Sequence, residues 1–340
     1  MLKNIVSFYF QKFLFNSINE KTKLKLVKYN KNLQNKLGIE LINYKFFSRK
    51  YILYETKEKG KEYNSDNDLL YEGEFLHGVR NGKGKEYNIF SGVLIFEGEF
   101  IKGIKNGKGK DYYRNGNIKF EGEYINGKRW SGKIYGIKNN VISELKNGKG
   151  ILKELDENGK LKFEGEYLNG EKNGKGKEYG WSGKLTFGGE YLNGKKNGKV
   201  KEYYDNGKLK FEGEYINGNK NGKGTQYIGN GTIDFQGEFY NGLKWNGINY
   251  DDNNNMICNL KNGKGFIKRY YDKGKLMYEY EYVNGLRNGK CKEYFYNGNL
   301  KSECEYLNGE KNGNAKEYYE NGKPKFEGKY LNGKRNDKGK

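Results

Sequence analysis

Lys162-Phe163-Glu164-Gly165-Glu166-Tyr167 alternates two kinds of residue, with Phe163, Gly165 and Tyr167 on one side and Lys162, Glu164 and Glu166 on the other. A period of two with aromatic residues is the pattern of a β-strand. The chain continues through Asn169-Gly170 and, four residues on, Asn173-Gly174 into a second short strand ending Lys177-Glu178-Tyr179. Segments such as Asp205-Asn206-Gly207-Lys208 join the strand pairs, and Asn-Gly supplies the positive φ that primed hairpin turns require. Each unit is therefore expected to be a β-hairpin, with successive hairpins paired edge to edge. A mid-strand glycine costs roughly 0.5–1 kcal/mol relative to alanine. Its use at Gly165 predicts a ring lying flat over bare backbone, as aromatics do when they rescue glycine in designed sheets. Tyr167, Tyr179 and their equivalents are expected to form that aromatic ladder in place of an aliphatic core.

The phrase F/Y-E-G-E-F/Y recurs around Gly73, Gly98, Gly122, Gly165 and Gly213, and in altered form around Gly189, Gly237 and Gly328. Degenerate copies carry Ser143, Cys258, Tyr280 and Cys304 at the same point. The twelve anchors lie 25, 24, 21, 22, 24, 24, 24, 21, 22, 24 and 24 residues apart. Self-similarity at such a period marks a repeat architecture. The run 24, 21, 22, 24, 24 occurs twice, so a unit of 115 residues is duplicated, as the 115-residue separation of Trp130 from Trp245 also indicates. Ser143, Cys258 and Cys304 fit as small residues at the glycine position. Tyr280 does not, and a local distortion is expected there.

Tyr71-x-Gly73-x4-Gly78-x3-Gly82-x-Gly84 resembles the MORN repeat (membrane occupation and recognition nexus), and the similarity recurs in register over about residues 69–340. The resemblance implies an all-β repeat fold: an elongated single-layer antiparallel sheet of about twelve β-hairpins. It also implies a scaffold that gathers protein partners, oligomerises, or tethers membrane or cytoskeletal components, with a link to anionic phospholipid. Trp130–Asn139 and Trp245–Asn255 reshape two units, and Asp337 replaces a glycine in the last.

Composition divides the chain. Residues 1–60 contain two of its 51 glycines and carry 13 Lys/Arg against 4 Asp/Glu, a net +9 of the total +21. Residues 1–62 read as a basic helical segment, a short α-helical N-terminal cap on the repeat array 63–340. Val6, Tyr9, Phe10, Phe13 and Leu14 follow helical spacing, as do Leu26, Tyr29, Leu33 and Leu37 before Gly38. Lys12, Lys21, Lys23, Lys25, Lys28 and Lys31 would meet an anionic membrane surface beside the first apolar face. The same segment is faintly similar to an F-box, without its opening Leu-Pro, which makes a ligase adaptor with a client-binding repeat arm the alternative. No stretch of ~20 apolar residues is present to span a bilayer. No secretory signal is read either, so the expected location is cytoplasmic, or peripheral at a membrane or cytoskeleton.

Residues that could carry chemistry read more simply as structure. His77, the single histidine, lies in a repeat loop where sister units have Lys or Asn. The Glu-x-Glu pairs alternate with lysines in nearly every unit, which favours cross-strand ion pairing on a solvated face. Gly-Lys-Gly-Lys lacks the pattern of a phosphate loop. Cys258, Cys291 and Cys304 form no CxxC and read as inert packing in a reducing compartment. No catalytic residue, cofactor or metal site is assigned. The reading is a non-enzymatic scaffold presenting a charged and aromatic β surface to protein partners. Homo-oligomerisation through an open sheet edge is a further expectation. Nucleic acid ranks last, because the rings fall at positions the sheet itself requires.

Overall fold

The structure, a computed structural model of the 340-residue chain, describes residues 50–336 other than 252, 272 and 273, together with the isolated positions 22, 34 and 35. The helical cap, its apolar faces and Lys12, Lys21, Lys23, Lys25, Lys28 and Lys31 lie outside the described residues.

The strands form two antiparallel meanders rather than one sheet. The first contains β1 (Lys50–Tyr54), β2 (Lys59–Asn64), β3 (Leu69–Leu76), β4 (Val79–Tyr87), β5 (Leu94–Ile101), β6 (Ile104–Tyr112), β7 (Ile118–Ile125), β8 (Lys128–Tyr135) and β9 (Val141–Leu145). The second opens with β10 (Gly150–Leu155), β11 (Leu161–Leu168), β12 (Glu171–Tyr179), β13 (Leu185–Leu192), β14 (Lys195–Tyr203), β15 (Leu209–Ile216), β16 (Asn219–Tyr227), β17 (Ile233–Tyr240) and β18 (Leu243–Tyr250). It closes with β19 (Met256–Lys261), β20 (Lys264–Tyr270), β21 (Leu276–Val283), β22 (Leu286–Tyr294), β23 (Leu300–Leu307), β24 (Glu310–Tyr318), β25 (Pro324–Leu331) and β26 (Lys334–Arg335). Each strand pairs with its neighbours in sequence. The compact units are Met1–Gly148 and Lys149–Lys340. The boundary expected at residue 62 falls inside β2, because the sheet already begins at Lys50.

The Asn-Gly pairs have three roles, not one. Asn169 and Gly170 both have positive φ, 54° and 72°, and make the primed two-residue turn. His77, with φ 51°, occupies that same turn position in its own repeat. Asp205–Gly207 is a different turn: of Asn206 and Gly207 only Gly207 is positive, at 86°, and its N–H donates to Tyr204 O over 2.8 Å. That is a type I turn closed by a left-handed glycine bulge. The third pair, Asn173-Gly174, lies inside β12 opposite a register shift between Gly165 and Tyr167. Gly174 has φ 94°, and a Cβ there would stand 2.2 Å from Glu166 Oε2. Asn173 Oδ1 accepts the N–H of Asn193 in the next repeat over 3.2 Å. Beside it, Gly194 N–H donates to Lys172 O over 2.9 Å, a brace repeated by Gly218, Gly242, Gly309 and Gly333.

The core is one layer of rings over glycine. Phe163, Phe187, Phe211 and Phe235 are almost fully buried. A Cβ on Gly165 would meet Phe163 Cζ at 2.7 Å, and one on the facing Gly176 would meet the same ring at 2.8 Å. The covering ring is thus two residues upstream on the same strand, not Tyr167 or Tyr179. Tyr191 completes the layer edge-on to Phe163, at 5.6 Å and 90°. Ser143 and Cys258 sit two residues away from the glycine row. Leu145 and Leu260 fill it, facing Gly132 and Gly247, because β8 and β18 are shortened.

Tyr280 is absorbed without added irregularity: it pairs with Ile267 and Cys291, and its repeat shows the same register shift as the others. Its ring takes the phenylalanine's role, with the Arg287 guanidinium 4.0 Å above it and Tyr306 edge-on at 5.8 Å. One repeat later the trio Phe163, Gly165, Gly176 becomes Ser302, Cys304, Ala315. The volume of a ring is redistributed into a hydroxyl, a thiol and a methyl, all buried.

Candidate interaction surface

Strand pairing places Glu178 opposite Phe163, so the ring face also carries acids. One cation per repeat lies over a ring: Lys172 Nζ is 3.7 Å from the Phe163 centroid and Lys196 Nζ is 3.8 Å from that of Phe187. Such contacts contribute ~0.5–2 kcal/mol each, according to how far the cation is desolvated. Asp111 receives Tyr124 Oη–H at 2.6 Å and Arg129 Nε–H at 2.9 Å, and Asp234 pairs with Lys244 at 2.9 Å and Arg269 at 2.6 Å. Burial alone would raise the Asp111 carboxyl. The Arg129 and Lys105 charges, with hydrogen bonds from Tyr124 and Arg129, outweigh it and hold the group below its usual value. Asp234 follows the same logic: burial is opposed and overcome by Lys244 and Arg269.

These shifts set both pH limits. A lowered carboxyl contributes stability that is full above its unfolded value, about pH 4, and is lost as pH falls through the folded one. Burial, reinforced by the Glu164 carboxylate, pushes the Tyr179 phenol up to about 12. Burial likewise raises Tyr227, beside Glu212, to about 12. That contribution is full below about pH 10 and is lost as pH rises toward the folded value. Circular dichroism on acidification, with phenolate absorbance on the alkaline side, should show a plateau between these limits. A phenolate signal that titrates near pH 10 in folded protein and is lost in Tyr179→Phe or Tyr227→Phe would contradict it.

The opposite face carries a trough in each sheet. In the first sheet Gly60, Gly73, Gly84, Gly98, Gly109 and Gly122 floor a trough of about 860 Å³. Two rows of charge wall it: Lys61, Glu72, Lys85, Glu97, Lys110 and Glu121 on one side, and Lys59, Glu74, Lys83, Glu99, Lys108 and Glu123 on the other. With Glu55 the lining has seven glutamates against six lysines, so it is close to neutral. Cross-strand pairs such as Lys110–Glu121 at 3.0 Å run along it. Being exposed, each is worth ~0–1 kcal/mol. The second sheet has its own trough of about 520 Å³ around Gly165, Gly176 and Gly189. There Gly188 faces Lys177 and Lys201 where sister strands carry glutamate, and a Cβ on it meets nothing within 4 Å. Gly188→Glu should therefore stabilise by about 0.5–1 kcal/mol through removal of a mid-strand glycine, read as a rise in the denaturant midpoint.

A row of aliphatic residues borders each trough at the primed-turn edge. Leu76, Ile101 and Ile125 are 53%, 51% and 41% exposed in the first sheet; Leu168, Leu192 and Ile216 are 43%, 49% and 50% exposed in the second. Alternation from buried Phe75 and Phe100 puts Leu76 and Ile101 on the trough's face. At the opposite edge Phe90 and Trp181 stand about nine-tenths exposed at 90% and 89%.

Sequence models of the MORN repeat match residues 71–88, 163–181 and 211–233. Those of the MORN repeat variant match 105–126, 149–169, 196–217, 267–284, 287–308 and 311–332. The chain belongs to the MORN-repeat family. Neither Trp130 nor Trp245 falls inside a matched segment, which agrees with their reshaped hairpins. No curated protein matches the chain. Solved structures similar to parts of this MORN-repeat chain include a protein of unknown function from Bacteroides caccae, at 11% identity over 82% of this chain and 92% of that one, with a TM-score of 0.18. Another is TcdB2-TccC3 without its hypervariable C-terminal region, at 12% identity over 82% and 19%, with a TM-score of 0.17. A third is virginiamycin B lyase from Staphylococcus aureus, at 13% identity over 75% and 83%, with a TM-score of 0.18.

The anchors Gly73, Gly98, Gly122, Gly165, Gly189, Gly213 and Gly237 lie in the glycine row, and Gly328 joins it opposite Ala315. The aliphatic border, one residue before each primed turn, was not singled out from sequence, although its recurrence in the phrase Tyr-Leu/Ile-Asn-Gly was available. Cys291 and Cys304, read separately as packing, face each other across β22 and β23.

Proposed function

We propose that this MORN-repeat protein is a non-enzymatic scaffold that holds an extended protein segment along the trough of each sheet. The observation that supports the reading is the trough itself: a glycine floor, charged walls of nearly balanced sign, and a border of half-exposed aliphatics. Balanced walls suit a polypeptide of mixed charge better than a polyanion, whose binding rests on net positive charge. The apolar border supplies the desolvated contacts that dominate protein interfaces. The test is affinity capture by the full-length protein with lysine cross-linking. Partners should cross-link to Lys83, Lys85, Lys108 and Lys110, and Ile101→Asp with Ile104→Asp, the exposed residue paired with it across the turn, should release them from the first trough while leaving circular dichroism unchanged. Undiminished cross-linking to those four lysines in that variant would sink the reading.

A membrane tether is a second reading, motivated by the net +9 of residues 1–60. Co-sedimentation with anionic vesicles should then be salt-sensitive and should be lost when residues 1–49 are removed. The F-box-like alternative predicts instead that residues 1–62 fused to a carrier recover a ligase subunit.

A further inference from the structure

Cys291 and Cys304 are directly opposed across the antiparallel pair β22–β23, with their sulfur atoms 2.7 Å apart. Both are buried, 3% and 4% exposed, and both are free thiols. Residues directly opposed in such a pair have Cα atoms ~4.5–5.5 Å apart, inside the span a disulfide requires. No other described repeat places two thiols together: the equivalent facing pairs are Gly176–Gly189 and Gly224–Gly237. On the Cys304 strand the ring is missing, because Ser302 stands in its place, while the Tyr280 ring of β21 stays packed with the pair. Lys311, whose counterpart Lys172 lies over Phe163, here lends its charge to Cys304.

We propose that Cys291 and Cys304 form a reversible peroxide-sensitive pair, closing to a cross-strand disulfide between β22 and β23. As thiolate, the Cys304 sulfur attacks one oxygen of hydrogen peroxide. The O–O bond breaks, the departing oxygen takes up a proton as water, and Cys304 becomes a sulfenic acid. The Cys291 sulfur then attacks that sulfur, and its proton leaves with the hydroxyl as a second water. Two thiols and one peroxide give one disulfide and two waters. Either sulfur can donate the S–H between them; with Cys291 donating, that bond and the Lys311 charge hold the Cys304 thiol below its ordinary value, whereas the same bond and burial push Cys291 up. This order makes Cys304 the attacking thiol and Cys291 the resolving one. Contact between the two favours disulfide closure over further oxidation to sulfinic acid.

The test uses the folded full-length protein, treated with hydrogen peroxide, denatured, alkylated and mapped by peptide mass. Alkylatable cysteines are expected to fall from three to one, with a Cys291–Cys304 cross-linked peptide lighter by two hydrogens and restored by dithiothreitol. Cys258→Ser, which leaves the pair untouched, should form the same cross-link, its alkylatable cysteines falling from two to none. Cys291→Ala should trap the Cys304 sulfenic acid as a dimedone adduct. The proposal is overturned if Cys258 oxidises while the pair still alkylates, if both thiols reach sulfinic acid unlinked, or if only intermolecular disulfides form.

Discussion

Asp111→Asn is expected to destabilise β6–β8 by about 3 kcal/mol, the lower end of the range for removing one partner of a buried ion pair. Arg129 would stay charged with its side chain only 22% exposed, and Asp111 Oδ2, the acceptor for Tyr124 as well, would carry no charge. The effect should be local, because stability in stacked repeats is a sum of unit and nearest-neighbour terms. Hydrogen exchange should therefore show lost protection in β6, β7 and β8, with amides of β15–β17 unchanged. Adding Arg129→Leu should recover much of the loss, since an apolar residue of similar size leaves no stranded charge. A single variant within about 0.5 kcal/mol of wild type, the level of an ordinary surface change, would refute the account.

Gly122→Val should have the other large effect, about 3 kcal/mol, the upper end for forcing atoms into a packed core. A Cβ on Gly122 would lie 2.1 Å from Ser131 O and 2.6 Å from Gly132 Cα. Both are backbone atoms, so β7 and β8 must part and their ladder must break. Gly188 is the control, also mid-strand but open on the other face. A side chain at 122 tolerated as well as one at 188 would mean that the floor is not closely packed. Denaturant midpoints of the two variants, with exchange in β7–β8, decide it.

The hairpins, their period and the anchor row were legible because alternation and positive-φ turn residues are local signals. What the sequence concealed was displaced by a single residue. The bulge at Gly174 adds two residues to β12 and so preserves its alternation: Lys172 and Glu178 stay with the rings of Phe163 and Tyr191, and Tyr179, one residue on, joins the row of Lys175 and Lys177, where its hydroxyl donates to Glu164 over 2.7 Å. The ring ladder expected to include Tyr179 therefore lies on the face it does not share. Local sequence also could not separate two fates of one phrase. Leu260–Gly265 closes the β19–β20 ladder, whereas the same six letters at Leu145–Gly150 divide the sheets. The trough was not legible either, because it reads as repeated Lys and Glu until strand pairing shows two walls and a floor.

Ser302, Cys304 and Ala315 also bear on how such an array can change over time. Where every unit is Phe over two glycines, recombination can excise or copy a hairpin and leave neighbours that still fit, as the 115-residue duplication records. The later copy has Tyr280 and Cys304 where the earlier has Gly165 and Gly189, and its packing is shared across β21–β25. A crossover that returned phenylalanine to position 302 would drive a ring into Cys304 and Ala315; one that returned glycine to 304 alone would open a void. These units have given up interchangeability and must be inherited as a block.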